Sequence, residues 1–355
     1  MLKQYHRILV IILKHIGDVL VATPVFRALK EAYPESQLSV LVEEGTQDMV
    51  TLNPFVDEVM VLDRATDMGI LGRFFRQAGF LSELRRKTFD LVLELSAGDR
   101  GAFLGFVTGA TERIGFRPKK RRLFGRQHLF SRLVDIDTTT QHMVDYNLAL
   151  VKSIGIESTD KRLLVAWSEE DADSCERLLY ENGLNETISY VVVHPTSRWL
   201  FKAWNSKGYA AVCDHIVQKY RLQVVITSGP DEKERARVRE IISMVESPTI
   251  DMSGLLSLKQ LAFCISNAVL FFGVDSAPMH IAAAVNTPVI ALFGPSGDHM
   301  WGPWGVEHTI IKKGWDCQPC GRDGCEGSKI SRCLESITSQ DVFREISIQI
   351  GRAHV

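Results

Sequence analysis

Short apolar runs alternate with amphipathic stretches along almost the whole chain. In the first half, runs rich in β-branched residues cover 7–13, 37–42, 58–62 and 90–94, and helical spacing covers 19–33, 46–52 and 71–87. In the second half, apolar runs cover 190–193, 223–227, 268–272 and 289–293, and helical spacing covers 207–220, 231–245, 258–265 and 279–284. Strands that alternate with helices in this way predict parallel sheets covered by helices on both faces.

The number of alternating elements is enough for two such sheets. A chain of 355 residues has room for two domains of ordinary size. Residues 155–168 show no clear periodicity and are the predicted linker. We therefore predict an α/β fold of two doubly wound, Rossmann-like domains facing each other across a cleft, with residues 1–165 in the first and 166–338 in the second. The last helix, within 339–355, is expected to pack back on the first domain.

The composition is that of a globular protein, with 45% hydrophobic and 24% charged residues and a net charge of −2. This balance argues against a polyanion-binding protein, so any basic site has to be local. The early apolar run at 8–13 is far shorter than the roughly 20 residues that cross a bilayer, and it lacks the cleavage site of a signal peptide. We expect a cytoplasmic protein. No G-x-G-x-x-G follows a predicted strand and no P-loop motif occurs, which argues against a nicotinamide dehydrogenase and a P-loop NTPase.

The most informative segment is 273–284, where an apolar run gives way to an alanine-rich helix. Asp275 and Ser276 stand where the predicted strand ends and the helix begins. At such a helix start, backbone N–H groups and the helix dipole favour an anion, and ligands of open α/β sheets bind at this edge. The alternative is an ordinary helix cap, because Asp and Ser are preferred capping residues.

Two further strand-to-helix turns precede this segment, near 195 and 229. The turn after the strand at 190–193 carries Thr196, Ser197 and Lys202, which are hydroxyl donors and a compact cation suited to a phosphate. These residue types are also common in solvated turns. If the strands are parallel, the turns near 195, 229 and 275 converge at one sheet edge, and their convergence favours a nucleotide-diphosphate site.

Asp18 occupies the corresponding place in the first half. Gly17 permits a sharp turn after the first strand, and Asp18 then lies at the carboxyl edge of the sheet. The functional interpretation is a general base that takes a proton from an acceptor hydroxyl. The structural alternative is a cap or turn residue.

A basic stretch follows between 113 and 132. We regard Arg117, Lys119, Lys120 and Arg121 as candidate anion-binding residues. A solvated loop is the ordinary interpretation of a charge run, but this density in a chain of nearly zero net charge favours a local anion site. A phosphorylated glycolipid at an anionic membrane surface fits. Nucleic acid would also fit, although no nucleic-acid motif accompanies the stretch and we expect no such partner.

Four cysteines cluster near the end of the second half, at Cys317, Cys320, Cys325 and Cys333. Four thiols are the number that a structural zinc ion uses. Their spacing is irregular, so both a zinc site and a loop of reduced thiols remain open.

Four motifs stand in an order that is typical of one family: Gly17-Asp18-Val19-Leu20-x-x-Thr23-Pro24, His194-Pro195 with Lys202-x-Trp204, Asp275-Ser276-x-x-Met279-His280-x-Ala282-Ala283-Ala284, and Phe293-Gly294-Pro295. In this combination the chain resembles the bacterial heptosyltransferases of glycosyltransferase family 9. The resemblance implies the GT-B fold, an ADP-heptose donor, a lipopolysaccharide inner-core acceptor, inversion at the anomeric carbon and no required metal or other cofactor. It also implies peripheral contact with the cytoplasmic face of the inner membrane.

The resemblance also implies roles for individual residues. Asp18 is the expected base and Lys202 the expected diphosphate contact, with Glu232 at the ribose. The expected donor site further comprises Thr196, Ser197, Asp275, Ser276, Ala277 and His280. Three alternatives stay open at this point: a GT-B transferase or epimerase that uses another nucleotide sugar, a nucleotide-sugar-binding protein without turnover, and a nucleic-acid-binding module that uses the basic stretch.

Overall fold

The protein is described by a computed structural model that covers residues 3–63, 70–117, 125–137 and 140–353. Its contacts divide the chain into two compact units, Met1–Ala166 and Trp167–Val355. Each unit is a six-stranded, all-parallel sheet with helices. This confirms the predicted α/β class and the two doubly wound sheets.

The described residues of the first unit form six strands and five α-helices. Its strands are β1 (Arg7–Ile12), β2 (Gln37–Glu43), β3 (Glu58–Leu62), β4 (Leu91–Glu94), β5 (Glu112–Phe116) and β6 (Arg132–Val134). Its helices are α1 (Ile16–Leu20), α2 (Thr23–Ala32), α3 (Ile70–Arg86), α4 (Asp99–Val107) and α5 (Met143–Lys152). The predicted helix at 46–52 is only a short 3₁₀ turn, Gln47–Met49.

Over residues 167–353, the second unit forms six strands and eight α-helices. Its strands are β7 (Tyr190–His194), β8 (Gln223–Ile226), β9 (Ile250–Asp251), β10 (Leu270–Val274), β11 (Val289–Leu292) and β12 (His308–Ile311). Its helices are α6 (Glu169–Glu181), α7 (Ser206–Tyr220), α8 (Glu232–Ile242), α9 (Leu258–Ser266), α10 (Ala277–Ala284), α11 (Asp298–Trp301), α12 (Arg332–Glu335) and α13 (Ser339–Ala353).

Both sheets follow the same strand order. The first is ordered β3-β2-β1-β4-β5-β6 and the second β12-β11-β10-β7-β8-β9. In each sheet the first strand of the unit lies beside its fourth strand, and the direction of the crossovers reverses between those two. Ligands of doubly wound sheets bind at this switch point, beyond the carboxyl ends of the strands. The turns after β1 and β4, and those after β7 and β10, are therefore the places to look for chemistry.

The apolar runs form strands that are buried on both faces. Residues Ile8 to Ile12 of β1 and Leu270 to Val274 of β10 are almost completely inaccessible to solvent. A continuous apolar run is what a strand covered by helices on both faces requires.

The C-terminal helix α13 belongs to the core of the second unit. Its residues Val342, Ile346 and Ile350 are buried in the same cluster as Trp204 and Phe272, and the helix contacts α7 and β12. The expectation from the sequence was packing on the first domain. The apolar stripe of α13 completes the layer beside α7 in its own unit, and packing on the first domain stays a prediction.

Candidate functional site

The first unit presents Asp18 near the carboxyl end of β1. Asp18 is the third residue of the short helix α1, and its side chain is 16% exposed. The Lys14 ammonium lies 3.3 Å from its carboxylate. His15 occupies the N-cap position of α1, with no side-chain capping bond. Asp18 is therefore not the N-cap of α1, although it lies in the first turn of that helix, and its carboxylate is partly open to solvent.

Hydrogen bonds join the end of β1 and the turn after it to the residues that follow β4. The backbone N–H of Leu13 donates to the Ser96 hydroxyl at 2.7 Å, and the Leu95 N–H donates to the Ile11 carbonyl at 2.9 Å. These bonds hold the two turns of the switch point together.

An ion pair that the sequence analysis missed is buried at the end of β4. Glu94 is 0% exposed, and Arg126, in a 3₁₀ turn before β6, is 1% exposed. The Arg126 Nη2 lies 3.2 Å from the Glu94 Oε2. Burial raises the pKa of Glu94 to about 7, although the Arg126 guanidinium acts in the opposite direction. A charged residue within a mostly apolar strand was the available signal, but its partner is 32 positions away.

Arginines of the basic stretch differ in their surroundings. Arg117 is exposed and forms an ion pair with Asp135 at 2.6 Å. Arg113 donates to the carbonyls of Leu129 and Ala110, so it has a structural role. The candidates Lys119, Lys120 and Arg121 lie outside the described residues.

The second unit places its turns where the parallel topology requires. β7 lies between β10 and β8, so the turns after these three strands share one edge, which confirms the expected convergence. Lys202 is in a 3₁₀ turn, Leu200–Lys202, after β7. Its Nζ lies 2.6 Å from the Oδ2 of Asp275, the residue that follows β10. The Lys202–Asp275 pair therefore spans the switch point of the second sheet.

Helix α10 begins immediately after Asp275. Ser276 occupies its N-cap position without a side-chain capping bond, and its hydroxyl donates to the Val274 carbonyl at 3.3 Å. Ala277 is the first helical residue. Backbone N–H groups in the first turn of a helix have no partner within the helix, so the turn attracts an anion. Because Asp275 binds Lys202 and Ser276 does not cap, the ordinary-cap interpretation is not supported.

His280 lies one turn into α10. Its side chain is 2% exposed, and its ring is 6.3 Å from the Trp301 ring, edge to face. His280 is therefore close to the start of α10, but its side chain is buried.

The hydroxyls of Thr196 and Ser197, in the turn after β7, form hydrogen bonds within the protein. Thr196 is buried and donates to the Glu234 Oε2 at 2.6 Å. Ser197 donates to the Trp199 carbonyl at 2.8 Å and accepts from the Trp199 N–H. Both side chains therefore hold the shape of the turn after β7.

Glu234, and not Glu232, links the turns after β7 and β8. Besides accepting from Thr196, the Glu234 Oε2 accepts from the Gly229 N–H at 3.3 Å. The Glu232 side chain is 70% exposed and forms ion pairs with Arg235 and Arg239. Asp231 is the N-cap of α8, so Glu234 stands at the third helical position, from which an acidic side chain turns back toward the helix start. That spacing could have identified Glu234 from sequence.

The four clustered cysteines line one cavity of about 470 Å³ beside Trp315 and Pro295. Cys317 and Cys320 are exposed, whereas Cys333 is buried. Burial raises the pKa of the Cys333 thiol, and the neighbouring thiols of Cys325 and Cys320 add to the effect. Among the described residues, no three His, Cys, Asp or Glu side chains are arranged to hold a metal ion.

None of the helices in the described parts of the chain has both the length and the apolar character that a membrane span requires.

Comparison with known proteins identifies the family. Residues 78–331 match the profile of glycosyltransferase family 9 (heptosyltransferase). The chain is 33% identical over 299 residues to lipopolysaccharide heptosyltransferase 3 of Escherichia coli K12, which covers 82% of this chain and 83% of that protein. It is 27% identical over 281 residues to the lipopolysaccharide core heptosyltransferase OpsX of Haemophilus influenzae, covering 79% and 77%.

Solved structures share the fold. A family 9 glycosyltransferase from Veillonella parvula superposes with a TM-score of 0.85 at 23% identity, over 99% of both chains. The E. coli heptosyltransferase WaaC with ADP superposes with a TM-score of 0.71 at 20% identity, over 97% of this chain and 99% of that one. The profile match over residues 78–331 and the relative of 33% identity show that the chain is a glycosyltransferase that belongs to family 9, the heptosyltransferases.

Proposed function

We propose that the protein transfers L-glycero-D-manno-heptose from ADP-heptose to the inner core of lipopolysaccharide. The observation that carries the proposal is the Lys202–Asp275 pair, 2.6 Å apart, at the start of α10 and at the switch point of the second sheet. A cation beside a helix N-terminus is suited to a diphosphate. The names of the relatives, which include lipopolysaccharide heptosyltransferase 3 and a heptosyltransferase with ADP, support this donor and acceptor class.

The proposed reaction is a single displacement with inversion. Asp18 takes the proton of an acceptor hydroxyl as that oxygen attacks the anomeric carbon of the donor. The bond between the anomeric carbon and the diphosphate oxygen breaks, and ADP leaves with an additional negative charge. Lys202 and the first turn of α10 stabilise this charge through preorganised electrostatics. Asp275 orients the Lys202 ammonium.

Further donor and acceptor contacts complete the proposal. Glu232, with its exposed carboxylate, is the proposed contact for the ribose, and Ser276, Ala277 and His280 line the proposed diphosphate end of the site. Thr196 and Ser197 shape the turn beside it. Arg117 with its neighbours Lys119, Lys120 and Arg121 is the proposed contact for acceptor phosphates, which would bring the protein peripherally to the cytoplasmic face of the inner membrane.

The direct test is incubation with ADP-heptose and truncated lipopolysaccharide cores, followed by mass spectrometry of the glycolipid and NMR spectroscopy of the new linkage. The expected result is the addition of one heptose, with the opposite anomeric configuration to that of the donor. Transfer from a UDP- or GDP-sugar but not from ADP-heptose would instead support a different nucleotide-sugar transferase.

Asp18 carries the proposed proton transfer, and the variant Asp18→Asn tests it. We expect ADP binding to be retained and kcat to fall by about 10²–10⁴-fold, the usual contribution of a general base. Asp145→Asn is the matched control, because Asp145 is also paired with a lysine of the first unit, at 2.8 Å from Lys161. Normal turnover of Asp18→Asn would remove Asp18 from this role.

A further inference from the structure

The outward face of helix α4 is apolar. Residues 101–102 and 104–105 of this helix are buried against the first unit, whereas Phe103 is 48% exposed and Phe106 is 49% exposed. A helix that covers a sheet ordinarily presents polar side chains to solvent. Two phenylalanines three positions apart are instead on the outward stripe, so both leave apolar surface in water.

The inner face of α4 fixes this orientation. A Cβ on Gly101 would lie 2.4 Å from the Glu94 Oε1, and a Cβ on Gly105 would lie 3.3 Å from the Val92 side chain. The helix therefore lies directly against β4 through two glycines. Turning either phenylalanine inward would place its ring where there is little room for a methyl group. The exposure of both rings is a consequence of the close packing between α4 and β4.

Arginines surround the two exposed rings. Helices α3 and α4 together contain five arginines and two acidic residues, in a chain whose net charge is −2. Arg100 is on the same stripe as the phenylalanines, with its side chain 50% exposed and 3.6 Å from the Glu43 carboxylate. The Arg113 guanidinium lies 5.6 Å from the centre of the Phe106 ring. The apolar face is thus part of a locally basic surface.

Helix α3 adds to this surface beside α4. The two helices are in contact, and a Cβ on Gly109, just beyond α4, would overlap the Arg85 guanidinium. The last turn of α3, which contains Arg85 and Arg86, is therefore next to the end of α4. A third aromatic side chain, Phe75 of α3, is 70% exposed. Exposed aromatic rings among basic side chains are typical of helices that lie on an anionic membrane surface.

Helix α4 also begins at the sheet edge that is proposed for the acceptor. Its N-cap is Gly98, two residues after Ser96, whose hydroxyl accepts from the Leu13 N–H in the turn after β1. Phe103 is the fifth residue of the helix and Phe106 the eighth. The exposed rings are therefore within about two helical turns of the carboxyl edge of the first sheet.

We propose that the outward face of α4 is a membrane-contact surface, in which Phe103 and Phe106 enter the headgroup region of an anionic bilayer and the neighbouring arginines pair with lipid phosphates. The inference rests on the proposed function, because the proposed acceptor is a glycolipid of such a bilayer. It concerns the lipid and assigns no contact with the sugar or the donor. A second copy of the chain is a poorer occupant, since two copies of this face would bring arginines against arginines.

The test is co-sedimentation of the full chain with vesicles of phosphatidylethanolamine and phosphatidylglycerol, compared with vesicles of phosphatidylcholine alone. We expect binding to the anionic vesicles that persists in part at high salt, because salt screens the arginine contacts but not the burial of the rings. Phe103→Ser combined with Phe106→Ser is expected to weaken this binding by about 10–100-fold, since each ring buries roughly half of its surface on binding. Tryptophan at both positions should preserve the binding, because tryptophan is favoured at the membrane interface.

Tyr180→Ser combined with Ile348→Ser is the matched control, because these residues are 42% and 43% exposed on helices of the second unit. The control should bind vesicles as the wild type does. In the serine variant of α4, transfer to a lipid-free core oligosaccharide should be unchanged, whereas transfer to an acceptor embedded in vesicles should fall.

Equal vesicle binding by the wild type and the serine variant of α4 would overturn the inference, and so would complete release of the wild type at high salt. A dimer that only this variant loses in sedimentation velocity, together with unchanged vesicle binding, would assign the face to a second copy and also overturn it. A wild type that binds vesicles but transfers no heptose to either acceptor would contradict the transferase proposal and support the membrane-contact surface.

Discussion

At the scale of single residues, the proposed chemistry of the second unit depends on one lysine and its carboxylate partner. The Asp275 side chain is 8% exposed and the Lys202 side chain is 23% exposed. The Lys202 ammonium is therefore paired with a buried carboxylate and is still accessible to solvent. A lysine is suited to diphosphate as a compact, strongly hydrated charge. The buried aspartate fixes where that charge stands before a nucleotide binds.

Replacing Lys202 by methionine tests this arrangement. We expect kcat to fall by about 10²-fold, because the leaving diphosphate loses a preorganised cation, and ADP binding to weaken with it. Steady-state kinetics and ADP titration are the measurements. Lys312→Met is the matched control, since Lys312 forms a similar pair with Asp298 at 2.6 Å. An unchanged rate in Lys202→Met would count against a diphosphate contact.

At the scale of elements, the start of α7 shows how the turn after β7 is supported. Asn205 caps the helix by accepting from the Gly208 N–H at 2.7 Å. Trp204 is fully buried, donates to the Ile337 carbonyl at 3.0 Å and contacts the Tyr209 ring edge to face. The turn that carries Lys202 is therefore followed at once by an anchored tryptophan. A Cβ on Gly208 would lie 2.4 Å from the Trp204 ring.

We therefore expect Gly208→Ala to destabilise the second unit. Overpacking against a buried ring costs about 1–3 kcal/mol, which exceeds the gain of about 0.5–1 kcal/mol from replacing a helical glycine. Urea denaturation followed by tryptophan fluorescence measures the difference. Gly351→Ala in α13 of the same unit, where nothing lies within 4 Å of the added Cβ, is the control and should be neutral or stabilising. Equal stability of Gly208→Ala and the wild type would contradict the described packing.

At the scale of the whole molecule, two units with the same strand order have different residues at their switch points. The first carries a partly exposed aspartate near a buried ion pair, and the second carries a lysine at the start of a helix. We propose that the first serves the acceptor and the second the nucleotide. The same backbone topology thus provides two sites, and the side chains on the turns decide what each can bind.

This division predicts a ligand effect that is confined to one unit. ADP should stabilise the second unit, by about 2.7 kcal/mol at a concentration of 100 times its Kd, and UDP and GDP should have much smaller effects. Thermal unfolding measures the size of the effect, and hydrogen exchange locates it, with protection expected in the turns after β7 and β10. Equal stabilisation by all three nucleotides, or protection limited to the first unit, would contradict the proposed donor site.

The sequence by itself determined the class of the fold and the turns that matter. Apolar periodicity is local, so the runs at 7–13 and 268–272 identified β1 and β10, and the parallel rule then placed Asp18, Lys202 and Asp275 at carboxyl edges. Short elements such as β5, β6 and α4 were missed, because so few residues give too brief a pattern to stand out.

Only the tertiary structure decided which side chains meet. Lys202 and Asp275 are 73 positions apart, Thr196 and Glu234 are 38 apart, and Glu94 and Arg126 are 32 apart. No local pattern selects such partners, since chain folding sets the distance between them. The same is true of α13, whose apolar stripe was visible in the sequence but whose packing partner was not. The periodicity of apolar residues shows that one face of an element must be buried. The tertiary structure decides which element packs against that face.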